Sequence, residues 1–363
     1  MEKLKILLEK EDSRRASIKD KARHPNGTKM RIKALFLCKK RIDHYGISVG
    51  LINSATFVVN ALNKRSIESR LDIVIDANEI DRVVSSFRPT HAIVEAIWVT
   101  PDKMRELLKR HPKVTWVIRV HSKAAFIAHE GMAMEWLSEY AQLAFDFKNL
   151  RISANSSDFN QELSDTLEVP CVYLPNVYHP EVKQLPEKVA DPEIVDVGCF
   201  GAIRPLKNQL VQGMAAIRFG NSIKKIVRFH INSNRVESGD GIVRNLRAIF
   251  RTTKHKLIEH PWTPHDEFLA TVRKMDIGMQ VSLSESFNIV TADMVIEGVP
   301  VVVSPEIGWI PRAYQANPHD IVDIVSKMVF VHQRDRFAVA KHNRKALDHN
   351  NSVNISIWLS FLR

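Results

Sequence analysis

The stretch 276–304, DIGMQVSLSESFNIVTADMVIEGVPVVVS, decides the fold. Residues 277–281 make a short apolar run closed by a polar turn at 282–285, which predicts a buried strand. A helix is expected over 288–297, with Gly298 as its C-cap and Pro300 opening a second buried strand at 301–304. Strand, turn, helix and strand of this length form one parallel βαβ crossover. Open sheets of that kind take their ligands beyond the carboxyl ends of the strands. Glu285 lies at that end, together with the unbonded amides of the helix N-terminus, so Phe287, Asn288 and Ile289 are candidate ligand contacts. A carboxylate beside a helix N-terminus can hold a sugar hydroxyl and a phosphate.

A second stretch has the same logic. In EIVDVGCFGAIRPLKNQLVQGMAAI, a buried strand at 194–200 runs into Gly201, a basic loop and a helix from Asn208. Arg204 and Lys207 ride on a turn that feeds a helix N-terminus, which is a ready anion site. Two fixed cations there suit a diphosphate leaving group, and no metal is required for that purpose.

The first half of the chain alternates apolar runs with helical patterns, which argues for a parallel sheet. Strands are expected at 31–40, 71–76, 91–98 and 114–120, with helices through about Lys64, near 78–87 and at 101–110. After the first strand comes Asp43-His44-Tyr45-Gly46-Ile47-Ser48-Val49-Gly50, where Gly46 and Gly50 permit close backbone approach. His121 stands at the carboxyl end of the strand 114–120, where the sheet rule places ligands; the plain alternative is a loop histidine bonded to backbone. His129 and Glu130 follow on a segment that can face the same cleft, and they join His44 and Tyr45 as acceptor-side candidates. Residues 179–193 hold three prolines and alternating charges without periodicity, the composition of an interdomain linker.

These motifs resemble those of the retaining group 1 (family 4-like) GT-B glycosyltransferases. The family pattern of Glu, seven residues, Glu and then Gly-x-Pro-Val is matched by Glu285 and Gly298-Val299-Pro300-Val301, with Asp293 in place of the second Glu and so one methylene shorter. Its Gly-Arg-Leu, three residues, Lys places the lysine at Lys207; Ala202 holds the usual Arg position, so Arg204 takes that role from two residues along. Pro175-Asn176 match the family's Pro-Asn-Gly, with Val177 in place of the glycine. The resemblance implies an α/β GT-B fold, two Rossmann-like doubly wound domains facing across a cleft. It implies a nucleotide-diphosphate sugar as donor, held by Gly46, Gly201, Arg204, Lys207, Glu285 and Asp293, the last on the ribose. His121 would contact the transferred sugar, and the loop 262–265 would border the base. No cofactor or metal is implied.

The domains expected are a charged extension at 1–30, an acceptor-side domain at 31–178, the linker, a donor domain at 194–347 and a returning helix at 348–363. A chain of 363 residues is long enough for two cores. No apolar run reaches membrane-span length and no cleavage pattern marks the N-terminus, so cytoplasmic residence is the expectation. Cys38, Cys171 and Cys199 lie in or beside apolar runs without metal spacing and read as buried thiols. The formal charge of +11 favours an anionic partner: the donor, a glycan or lipid-linked acceptor, a peripheral membrane surface, or DNA. A basic segment, 242–256, is a solvated helix face on one reading and a phosphate-tracking face on the other. Three functions stay open: sugar transfer to a glycan or lipid precursor, transfer to hydroxymethylated DNA bases, and a non-catalytic GT-B module that binds nucleotide or glycan.

Overall fold

A computed structural model describes residues 31–40, 49–178 and 191–363. The extension at 1–30, the loop with His44, Tyr45 and Gly46, and residues 179–190 of the expected linker lie outside the described residues. Two parallel sheets organise the rest. The first has strands β1 (Lys33–Lys39), β2 (Glu68–Val74), β3 (His91–Glu95), β4 (Thr115–Val120), β5 (Leu150–Ala154) and β6 (Val172–Tyr173) in the order β2-β1-β3-β4-β5-β6. The second has β7 (Ile194–Gly198), β8 (Ile226–Asn232), β9 (Lys256–His260), β10 (Ile277–Gln280) and β11 (Val301–Val303) in the order β11-β10-β7-β8-β9. Every pairing is parallel and helices connect successive strands, so both are doubly wound α/β units.

The first sheet sorts its side chains by the period of two. Leu35, Leu37, Ala92, Val94, Trp116 and Ile118 enter one apolar cluster. Their alternates Ala34, Phe36, Cys38, Ile93 and Val117 enter another, on the opposite face. That second cluster also contains Ile355, Trp358 and Leu362 from the last helix, so the end of the described chain completes the core of the first domain. This helix runs over Arg336–Leu362 rather than beginning at 348, because Asp335 caps it through Ala338 N. Buried amides fasten it to the chain leaving β6. Asn354 donates to the Asn176 carbonyl, Trp358 Nε1 to that of Pro175, and Asn351 exchanges bonds with both backbone groups of Tyr178.

In the second sheet strand order reverses between β7 and β10, and the two deciding stretches lie on those strands. Between β10 and β11 runs the helix Ile289–Ile296, capped by Asn288, whose side chain accepts from Thr291 N at 2.8 Å. Its end is turned by Gly298 at φ +70°, which a side chain rarely adopts. Gly198, the last residue of β7, is needed for space instead: a Cβ there would lie 2.6 Å from the Phe200 ring and 2.8 Å from Met275 Cγ. Gly198→Ala is therefore expected to cost about 1–3 kcal/mol by overpacking, read as a lower urea midpoint with unchanged slope.

One expected element is shorter than its sequence suggested. The basic helix ends at Arg251 and Lys256 opens β9, so Arg244, Arg247, Arg251, Lys254 and Lys256 do not share one helical face. Arg247 donates to both carboxylate oxygens of Glu259, each at 2.8 Å. Cys38 and Cys199 are buried free thiols and Cys171 is half-buried. Among the described residues no helix is long and apolar enough to cross a membrane.

Candidate functional site

The carboxyl ends of both sheets face one another across a cleft of about 610 Å³. It is lined by His121, Glu130, Gly201, Arg204, Lys207, Glu285, Phe287, Asn288, Ile289 and Asp293 among the expected residues. His129, two residues past the short helix Ala124–Ile127, is exposed and does not line it.

On the second domain's wall, the loop after β7 and the turn after β10 bring the two motifs together. Lys207 Nζ lies 2.5 Å from Glu285 Oε1, so a cation and an acid far apart in the chain form one pair at the cleft edge. Asn288 adopts a left-handed φ of +61°, and its Nδ2 donates to Gln280 Oε1, which fixes the direction in which the helix N-terminus points. Gly201, at φ +110°, keeps the facing loop free of a side chain where Val290 packs nearest. Arg204 is engaged as well: Nη2 lies 2.5 Å from Glu237 Oε2, and the guanidinium sits 5.0 Å from the Phe126 ring of the opposite domain. Its Nε is buried without a hydrogen-bond partner. Burial by itself would push the Glu237 carboxyl up, but Arg204 and Arg235 outweigh it and hold it below the usual carboxylate range.

The first domain's wall rests on a buried ion pair. Glu95 and Arg119 are register partners on β3 and β4, and both are fully buried. Arg119 donates to both Glu95 oxygens, to the Leu174 carbonyl at 2.8 Å and to Asn176 Oδ1 at 2.5 Å. His121 Nε2 also contacts Glu95, and its Nδ1 is 3.4 Å from Asn155 Nδ2. Burial would raise the Glu95 carboxyl, yet the Arg119 charge, followed by His121, holds it below its ordinary value. For the His121 imidazole burial is again the largest influence, and it keeps that group below its usual value against the upward pull of Glu95. The ring is thus oriented by a carboxylate rather than by backbone, with its neutral form favoured.

Polar contacts join the walls. Ser286 Oγ donates to the His121 carbonyl at 3.0 Å and accepts from Asn155 Nδ2 at 3.1 Å. Lys123 reaches Glu306 at 3.1 Å, and the same Glu306 oxygen receives the Glu285 amide at 3.3 Å. Ser286, Asn155, Arg235 and Glu237 escaped the sequence reading because each is an ordinary polar loop residue. Glu95 and Arg119 did leave a signal, as lone charges inside two apolar strands.

Two doubly wound parallel-sheet domains with their carboxyl ends facing over a shared cleft constitute the GT-B fold. No protein-family profile and no curated protein matches the chain. Solved structures do match it. Trehalose-6-phosphate synthase OtsA superposes with a TM-score of 0.67 at 10% identity, over 91% of this chain and 98% of that one. The UDP-forming α,α-trehalose-phosphate synthase of Burkholderia vietnamiensis gives 0.62 at 11% identity, over 92% and 97%. A TarM variant from S. aureus, in complex with fondaparinux, α-GlcNAc-glycerol and UDP, gives 0.59 at 13% identity. That match covers 75% of this chain but only 55% of TarM, so the chain spans about half of that protein's length. At such identities the likeness establishes the fold.

Proposed function

We propose that this protein is a glycosyltransferase that moves a sugar from a nucleoside-diphosphate sugar to a hydroxyl acceptor, a glycan or lipid precursor, with retained configuration and without requiring a metal. One observation carries the reading: Lys207, Glu285 and the helix N-terminus at Asn288 meet on one wall of the cleft, opposite His121. The UDP complexes and UDP-forming activity named for proteins of the same fold accord with it.

On this reading Lys207 and the helix N-terminus hold the diphosphate. Arg204 joins them by turning its unpaired Nε toward the anion or by exchanging Glu237 for it. Glu285 accepts from hydroxyls of the transferred sugar, and Asp293 belongs to the ribose end. His121, oriented by Glu95, borders the reacting sugar face. The bond between the anomeric carbon and the diphosphate oxygen breaks as the acceptor oxygen bonds to the same face. The acceptor's proton passes to the departing phosphate oxygen, so no enzyme nucleophile is needed. The first domain takes the acceptor.

A thermal-shift comparison tests this. UDP, GDP and ADP and their sugars are screened at fixed concentration, and one of them is expected to raise Tm by several degrees. Lys207→Ala should lower that affinity by about 10–100-fold through loss of a charge-assisted hydrogen bond. If no nucleotide stabilises the wild type, the donor site assigned here is wrong.

A further inference from the structure

The acid expected at the donor ribose is not the group the cleft chiefly meets. The Asp293 side chain is 3% exposed, against 27% for His265. Its Oδ1 is already taken twice, by the Tyr178 hydroxyl at 2.5 Å and by His265 Nε2 at 2.8 Å. Burial, followed by the Asp293 charge, pushes the Tyr178 phenol up, so that hydroxyl remains a donor to the acid. His265 opens the helix His265–Val272 directly after Pro264, and it lines the cleft beside Trp262 and Thr263. With Nε2 turned to the carboxylate, its Nδ1 has no partner among the described residues.

Position along the wall names the ligand group. Asp293 is five residues past the Asn288 cap, roughly 7 Å along the helix axis from the anion-binding end. Trp262 lies on the adjoining loop with the Arg235 guanidinium 4.7 Å from its ring centre, an aromatic and cationic pair beside which a base can lie. In a nucleoside diphosphate the group between phosphate and base is the ribose. Resting on the donor site proposed above, we infer that His265 Nδ1 makes the contact to the ribose 2′-hydroxyl, with Asp293 as its positioning residue. The one-methylene-shorter acid is thereby extended into the cleft by an imidazole.

Calorimetric titrations of UDP against 2′-deoxy-UDP, and of GDP against 2′-deoxy-GDP, test this on the full chain. The wild type should prefer the ribonucleotide about five- to tenfold, the worth of one hydrogen bond. His265→Gln retains an N–H at the Nε2 position for Asp293 but lacks the cleft-facing nitrogen. It should bind the two forms equally, with the wild-type affinity for the deoxynucleotide. His265→Asn, which places a nitrogen near Nδ1, should restore part of the preference. A preference that persists in His265→Gln, an equal loss for both ligands, or no preference in the wild type overturns the inference. If nucleotide binding also ignores Lys207→Ala, the donor site itself is refuted; if it requires Lys207 but ignores His265, only the ribose contact is.

Discussion

Glu285→Gln is expected to slow turnover of the stabilising nucleotide sugar by about 100-fold or more, measured as nucleotide release with water as acceptor. The carboxylate sits 2.5 Å from Lys207 Nζ at the cleft edge, where the proposed reaction puts the transferred sugar. Glutamine preserves shape and still accepts one hydrogen bond from the lysine. It removes the negative charge that strengthens hydrogen bonds to sugar hydroxyls and balances the positive charge at the anomeric carbon as the bond breaks. Free UDP, which lacks the sugar, should bind the variant within about twofold of the wild type, so the loss falls on kcat rather than on nucleotide affinity. A binding module without transfer activity would have no turnover to lose. Turnover within threefold of the wild type would refute the role given to Glu285.

Arg119→Met carries the largest expected effect on stability. It leaves the Glu95 carboxylate fully buried beside His121 with no guanidinium, and breaking such a pair costs about 3–5 kcal/mol. In the wild type Glu95 titrates below its ordinary value. Its contribution is therefore present above the unfolded carboxylate range and lost as pH falls through the folded value. In the variant the sign reverses: burial raises the carboxyl, and protonation relieves the unpaired charge. Urea unfolding should thus show the deficit greatest at neutral pH and narrowing toward pH 5. A cost below about 1 kcal/mol, or one that does not vary with pH, would remove the ion pair from this account.

The crossover at 276–304 was legible because three signals agreed: apolar runs of strand length, a helix closed by Gly298, and Pro300 at the following strand. The observed helix, Ile289–Ile296, and strand, Val301–Val303, differ from expectation only at their ends. The loop after β7 was legible for the same reason. What the sequence concealed was polar partnership between distant segments. Nothing in VTWVIRV shows that Arg119 binds a carboxylate on the next strand, although a lone charge in each of two neighbouring apolar runs was a usable hint. The last helix was foreseen only from its apolar end, since 336–350 alternates charge and apolar residues too weakly to announce a helix. Segment 242–256 was read as continuous because basic residues recur at helical spacing even where the chain has passed into β9. His265 was placed only near the base, because its tie to Asp293 depends on two loops meeting.

The docking of Ile355, Trp358 and Leu362 into the first domain's core bears on how the protein is made. Trp358 follows its partner Pro175 by 183 residues. At about 5–20 residues per second a ribosome needs roughly ten to forty seconds to cover that distance. For that interval one face of the first sheet, with Phe36, Ile93 and Val117, is covered by the helix Val49–Asn63 but lacks Ile355, Trp358 and Leu362 while the second domain is still being synthesised. The order of translation and the order of core completion are opposed here, and a nascent chain in this state offers a greasy surface to chaperones until the closing helix emerges.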